Sequence, residues 1–342
     1  MVTPRLLAVT AVVLGTVSWT GCRPVLVPHA TLVPTTVERD LRLPSIAITV
    51  AGRTRRVHLQ TFGDSVRGDT VRPVLLALHG SLSDHRMLLP LAALADRYRV
   101  VLWDQRGNGL SERVPRDEYT FDAVVEEIDR IADRFARGRP VTLVGHSFGA
   151  MYAALYMSRH PARVREAALL EPGGLNGAIM GATFRDVINV ALLEREVART
   201  SWQNEVLTAT DHDALDLKAL LVLANGRQTN YFCDPQRPPP ADVWRPGGYV
   251  EYLRGTLMGN GFGRFRYDFA AGLDTVDRPV LLVGASCSAL GPAFQRRWHG
   301  PLFRRATLAT LTGVGHRMLT EDPGAVLRVL RDFLAEYRVA PH

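Results

Sequence analysis

"LVGHSFGAMYAALY", residues 143–156, sets an apolar run against a Gly-x-Ser-x-Gly core and continues into a stretch that reads as a helix. The pentapeptide alone decides nothing, because glycine and serine are common enough for such a spacing to arise by chance in roughly one chain in ten of this length. Its place in the chain decides. A sharp strand-to-helix turn at this point would lift the Ser147 hydroxyl into the open, while the helix N-terminus favours developing negative charge. Gly145 and Gly149 suit such a turn, since a side chain at either position would crowd the backbone.

Outward from this stretch, the chain from residue 45 alternates apolar runs with longer amphipathic segments. The runs are "SIAITV", "RRVHLQTF", "PVLLALHG", "RVVLWDQ", "PVTLVGH", "EAALLEP", "PVLLVGA" and "ATLATLTGVGH". That rhythm predicts parallel strands joined by crossover helices, an α/β fold. Residues 118–137 place Phe121, Val124, Val125, Ile128, Ile131 and Phe135 at helical spacing, with Thr120 as N-cap and Gly138 at the end. Residues 147–160 and 323–338 read as helices in the same way. The rhythm breaks over 173–272, which carries helical patterns, a proline cluster at 238–240 and "GNGFG" at 259–263. The sheet pattern resumes at "RPVLLVG". The expectation is a core of residues 45–172 and 273–342, with an inserted helical cap of residues 173–272 over one end of the sheet.

The 342-residue length fits one large domain or a core with an insertion, and the formal charge of +7 is carried by arginine, Lys218 being the only lysine. The arginines are scattered among acids, whereas a nucleic-acid groove needs basic residues gathered on one face, so no nucleic-acid partner is expected. At the amino end Arg5 precedes "LLAVTAVVLGTVSW" and then "TGC", which reads as a secretory signal over residues 1–21. The run is short of the about 20 apolar residues that a membrane-spanning helix needs. "WTGC" is similar to the bacterial lipobox, in which the cysteine takes lipid and becomes the first residue, although Trp19 replaces the usual aliphatic residue. Cys22 is therefore the expected lipid attachment point, a membrane anchor in the bacterial cell envelope. Ordinary cleavage with a periplasmic or extracellular product is the other reading. Residues 22–44, with repeated Pro and Thr and no helical period, read as a tether. Cys233 and Cys287 then remain, an even count that fits either a disulfide in an exported chain or two unrelated buried thiols.

In an open parallel sheet, function lies beyond the carboxyl ends of the strands. "LLALHGSLSD" ends one such strand at His79, Gly80 and Ser81. A backbone N–H there, with the N–H of Phe148, would form an oxyanion hole for a tetrahedral intermediate. "LTGVGHRML" puts His316 just past the last strand, where an imidazole can take the serine proton and return it to a leaving group. His160 in "SRHPARV" reads as a helix-end residue and His146 as a neighbour of the turn. The chain has no H-E-x-x-H, no C-x-x-C and no phosphate loop, so neither metal nor cofactor is expected.

Taken together and in this order, "HGSLSD", "DQRGNGLS" at 104–111, "GHSFG", "SRHPARVREAALLEP" and "GVGH" resemble the alpha/beta-hydrolase superfamily over nearly everything after residue 45. The resemblance implies a mostly parallel eight-stranded sheet with helices on both faces, a Ser147 nucleophile, a His316 base, and oxyanion N–H groups from Ser81 and Phe148. Asp104 and Arg106 resemble the family's structural loop. One element departs from the pattern. The family's usual acid follows the strand "PVLLVGA", often as Gly-x-x-Asp, whereas this chain has Gly284-Ala285-Ser286-Cys287 there. An imidazole without an orienting carboxylate loses its working tautomer, a defect of about ten-thousand-fold in the best-studied serine protease. Glu171, ending "EAALLEP", is the substitute acid, and certain haloalkane dehalogenases resemble this arrangement. An acid before proline is also frequent in relatives that keep the usual acid, so a structural role for Glu171 stays open. Cys287 would lie beneath the cap, where a bridge to Cys233 would pin cap to core. The expected activity is acyl-enzyme hydrolysis of a small ester, lactone or amide. A proline iminopeptidase is one alternative, on the strength of "DQRG", although "HGSLS" lacks that family's Gly-Gly-Pro-Gly and "GHSFG" departs from Gly-Gly-Ser-Trp-Gly. A hydrolase-fold binding protein that has lost catalysis is the other.

Overall fold

Eight strands form one sheet in the order β1-β2-β4-β3-β5-β6-β7-β8. They are β1 (Ser45–Val50), β2 (Arg53–Phe62), β3 (Val74–Leu78), β4 (Arg99–Trp103), β5 (Val141–His146), β6 (Val164–Leu170), β7 (Val280–Ala285) and β8 (Ala306–Leu311). The structure, a computed structural model, describes residues 35–63, 72–186, 212–225, 231–234, 243–259 and 265–336. The signal stretch, Cys22 and the first part of the expected tether lie outside these residues. Within 35–44 the chain does not stand off the domain: Val37 is fully buried and its N–H donates to Leu110 O at 2.8 Å.

β1 and β2 pair antiparallel, as do β2 and β4, and the remaining pairs are parallel. The central parallel strands are mostly apolar because both of their faces are covered, β3 and β7 being buried at every position, whereas the edge strand β8 is largely exposed. Alternate residues point to opposite sides, and on β3 Val74, Leu76 and Leu78 enter one cluster while Leu75 and Ala77 enter the other. Helices α1 (Phe121–Ala136) and α2 (Phe148–Arg159) cover the first side. A 3₁₀ run at His85–Asp96 and the last long helix, residues 323–336, cover the second. α1 begins where its sequence sets it: the Thr120 side chain accepts the Ala123 N–H, a cap for one of the orphan donors of the first turn. α2 is apolar on nearly every side and buried from Phe148 to Met157, so it needs no polar stripe.

Between β6 and β7 the chain leaves the sheet and forms α3 (Gly177–Asp186), α4 (His212–Asn225) and α5 (Gly248–Met258). This excursion is tied to the loops at the carboxyl ends of the strands. Asp84 accepts the backbone N–H groups of Trp244 and Arg245 at 2.6 and 3.2 Å, and Arg113 pairs with Asp216 at 2.6 Å. Cys233 and Cys287 are joined by a disulfide that fastens it to the end of β7.

Candidate active site

Ser147 sits between β5 and α2 with φ 54° and ψ −119°, a backbone conformation that L-residues rarely adopt. Strain of this kind is of order 1–3 kcal/mol and persists only where surrounding structure fixes it. Here the Ser147 N–H donates to Leu170 O at 2.8 Å and the Ser147 carbonyl accepts from Ala150 N–H at 3.0 Å. The glycines make the turn possible by close approach. A Cβ on Gly145 would stand 2.5 Å from Gly149 O, and one on Gly149 would strike the carbonyls of Leu78 and His79.

Leu170, which holds the Ser147 N–H, is followed by Glu171, itself at φ 45° and fully buried. One carboxylate oxygen, Oε1, accepts the Ala285 N–H at 2.7 Å, and the other, Oε2, lies 2.6 Å from His316 Nδ1. The β7 loop thus supplies no carboxylate but does supply the N–H that orients one from β6. His316 is held from three further directions. Its N–H donates to Tyr231 O at 2.6 Å, its carbonyl accepts from His146 Nε2 at 2.7 Å, and its ring lies between those of His146 and Tyr231, with centroids 4.7 and 4.8 Å away. Because His146 directly precedes Ser147, this bond brings the His316 backbone to the residue beside the serine. Burial keeps His146 neutral by driving its pKa down to about 3, so its Nε2 proton serves as a fixed donor.

The loop after β3 approaches from the other side: a Cβ on Gly80 would stand 3.0 Å from Ser147 Cβ. His79, fully buried, accepts the Gln105 N–H on Nε2 at 3.2 Å and so donates from Nδ1 to Gly80 O at 3.0 Å. Burial lowers its pKa to about 4, which keeps the ring neutral, and the Gln105 N–H on Nε2 sets the tautomer. In a trans peptide the C=O and the following N–H point oppositely. Holding Gly80 O therefore fixes the direction of the Ser81 N–H. The Phe148 N–H is a first-turn donor of α2 with no intrahelical partner.

Ser147, Glu171, His316, Ser81 and Phe148 thus meet at one end of the sheet, with Cys287 and Cys233 bonded beside them. Asp104 is a fully buried hub that accepts His85 N–H at 2.7 Å and Leu110 N–H at 2.8 Å, and Arg106 pairs with Glu127 at 2.9 Å. His58, His85 and Asp104 have ligand-type atoms within 4.8 Å of one another. The Asp104 oxygens are already engaged by the His85 ring at 2.9 and 3.0 Å besides those N–H groups, while His58 Nδ1 bonds to Pro44 O and its Nε2 is buried without a hydrogen-bond partner among the described residues. Sequence reasoning did not assign the clamps His79, His146 and the Tyr231 carbonyl, nor Arg254, a buried cation whose Nη1 donates to Ser81 Oγ at 2.8 Å. "HSFG" and "HGS" did carry the first two histidines, and their position beside backbone turns was the available signal.

A sheet of this order with a strained serine at the β5–α2 turn defines a hydrolase fold, and a family profile described as the alpha/beta hydrolase fold matches residues 73–225. The chain has the alpha/beta-hydrolase fold. It is 25% identical over 283 residues to 2-(acetamidomethylene)succinate hydrolase of Mesorhizobium japonicum, covering 82% of this chain and 94% of that one. Among solved structures, the proline iminopeptidase of Mycobacterium smegmatis is similar in fold with a TM-score of 0.60 at 18% identity, over 86% of this chain and 98% of that one. A membrane phospholipase A described as a bacterial virulence factor gives a TM-score of 0.59 at 22% identity, over 98% of both chains.

Proposed function

We propose that this protein is a serine hydrolase that cleaves a small ester, lactone or amide through an acyl-enzyme. The observation that carries the reading is the Glu171–His316 contact of 2.6 Å, beside a serine held at φ 54°. Glu171 accepts the Nδ1 proton of His316, which leaves Nε2 as the lone-pair nitrogen that removes the Ser147 Oγ proton. Oγ then bonds to the substrate carbonyl carbon, and the carbonyl oxygen takes the negative charge under the Ser81 and Phe148 N–H groups. Collapse breaks the bond to the leaving group, which departs with the proton from His316. Water, deprotonated by the same imidazole, releases the acid and restores Ser147. The name of the Mesorhizobium relative describes an acetamido compound and that of one structural neighbour a peptidase, so amides belong in the substrate screen.

The same reading takes residues 1–21 as an export signal and Cys22 as a lipid attachment point, leaving the domain at the cell envelope under a helical cap of residues 173–272. A Cys233–Cys287 bridge suits such an oxidising compartment. Metabolic labelling with a fatty-acid analogue should mark the wild-type chain and be lost in Cys22→Ala.

The deciding experiment is fluorophosphonate labelling of the folded protein. Labelling that vanishes in Ser147→Ala and slows steeply in His316→Ala supports the reading. A folded wild type that does not label refutes it and favours a binding protein on a hydrolase fold.

A further inference from the structure

The mechanism above leaves one buried charge unused. Arg254, on α5, is 2% exposed, and its contacts converge on the residues assigned to the oxyanion hole. Nη1 donates to Ser81 Oγ at 2.8 Å, Nε donates to Tyr152 Oη at 3.0 Å, and the guanidinium carbon lies 4.1 Å from the centre of the Phe148 ring. An arginine is charged at every working pH. A fixed positive charge therefore stands against the side chains of both residues whose N–H groups would receive the oxyanion.

Glu251 balances that charge: its Oε2 lies 2.5 Å from Arg254 Nη1, one turn earlier on the same helix, with its side chain 38% exposed. These bonds use Nε and Nη1, which leaves Nη2 without a partner among the described residues. A buried guanidinium with one open nitrogen, and with its carboxylate partner reaching in from solvent, is arranged for exchange. An incoming carboxylate can replace Glu251 while the cation remains paired throughout, and Glu251 returns to water. Exchange avoids the penalty of leaving a buried charge alone.

We infer that Arg254 binds a carboxylate on the acyl portion of the substrate, so that the preferred substrates are half-esters or half-amides of short dicarboxylic acids. The inference rests on the serine-hydrolase reading of this site. The leaving group must face His316, which protonates it, so the portion beside Ser81 and Phe148 is the acyl portion. An oxyanion about 3 Å from the Ser81 nitrogen and carboxylate oxygens about 2.8 Å from the guanidinium nitrogens put the two groups within about three carbon atoms of each other.

The test compares the p-nitrophenyl ester of succinic acid, with one free carboxylate, against neutral p-nitrophenyl butyrate. Wild type should favour the anionic ester in kcat/KM by about 10- to 100-fold, the range expected of a charge-assisted bidentate contact. Arg254→Gln should erase the ratio, and Arg254→Lys should keep part of it. Glu251→Gln, which removes the competing carboxylate, should tighten binding of monomethyl succinate to Ser147→Ala protein severalfold by calorimetry. A wild type without preference, or an Arg254→Gln that lowers both esters alike, overturns the inference and leaves Arg254 as a clasp on the Ser81 loop. The calorimetric arm needs no turnover, so it reads carboxylate binding even if the esters and the fluorophosphonate fail to react, and absence of binding there overturns the inference as well.

Discussion

Glu171→Gln tests the proposed triad acid with the least disturbance of shape. The two oxygens of Glu171 have different partners, His316 Nδ1 and the Ala285 N–H. If the glutamine oxygen stays on Ala285, its NH₂ faces Nδ1 and demands an acceptor there, which moves the imidazole proton to Nε2 and blocks uptake of the Ser147 proton. If the amide turns over, its NH₂ opposes the Ala285 N–H, two donors in a buried site, at about 1–3 kcal/mol. Either placement withdraws the productive tautomer. The backbone of His316 stays in place through Tyr231 O and His146 Nε2, so the loss should fall on kcat and leave KM within a few-fold. The expected drop is about 10³- to 10⁴-fold, which corresponds to about 4–5.5 kcal/mol of transition-state stabilisation. Steady-state hydrolysis of an activated acyl ester, with the far-ultraviolet circular dichroism spectrum as a fold check, measures it. Retention of more than a tenth of wild-type kcat would refute the assignment and send the search for another carboxylate.

Other outcomes follow from the same geometry. Gly149→Ala should destabilise the fold by about 3 kcal/mol or prevent folding, because its Cβ meets the carbonyls of Leu78 and His79; an unchanged urea midpoint would contradict this. His79, His146 and His299 are held neutral by burial, with pKa values lowered to about 4, 3 and 3. The unfolded chain binds their protons first as pH falls below the ordinary histidine value, so stability should drop on acidification from about 6 to 4.5. Asp84, which burial and then Asp104 push up to about 7, works in the opposite direction and reduces the slope, to about 3 kcal/mol per pH unit, as read by urea titrations across that range. Removing the disulfide in the Cys233→Ser/Cys287→Ser double variant opens a loop with a sequence separation of 54 and should cost about 4 kcal/mol. Activity should fall as well, since the freed segment carries the Tyr231 carbonyl that holds His316, and a variant matching wild type in both respects would show that the bridge positions nothing.

The central strands were legible because β3, β5 and β7 are enclosed on both faces, which writes itself as a nearly continuous apolar run; every run read from the sequence overlaps a strand. Glu171 drew attention through a vacancy elsewhere, the lack of an acid in Gly284-Ala285-Ser286-Cys287, and its contact with His316 could not be read from spacing. Arg254 was not. It is one arginine in a chain whose 41 basic residues include a single lysine, and its partner Ser81 lies 173 positions away. The roles of His79 and His146 depend on backbone carbonyls, which every residue carries, so no side-chain pattern announces them. The end of the stretch read as a tether misled for a related reason. Pro- and Thr-rich composition gives no sign that Val37 finds a slot beside Leu110.

β5, which leads into Ser147, and β6, which leads into Glu171, are adjacent, and Ser147 N–H and Leu170 O join them directly. In the proposed mechanism both side chains come from this pair, which relieves the loop after β7 of chemical duty. Only the N–H of Ala285, the last residue of β7, is needed there, a group any residue but proline supplies. That freedom let a position two residues on become Cys287, and so a place where catalysis would normally forbid change became a mooring for the chain above it.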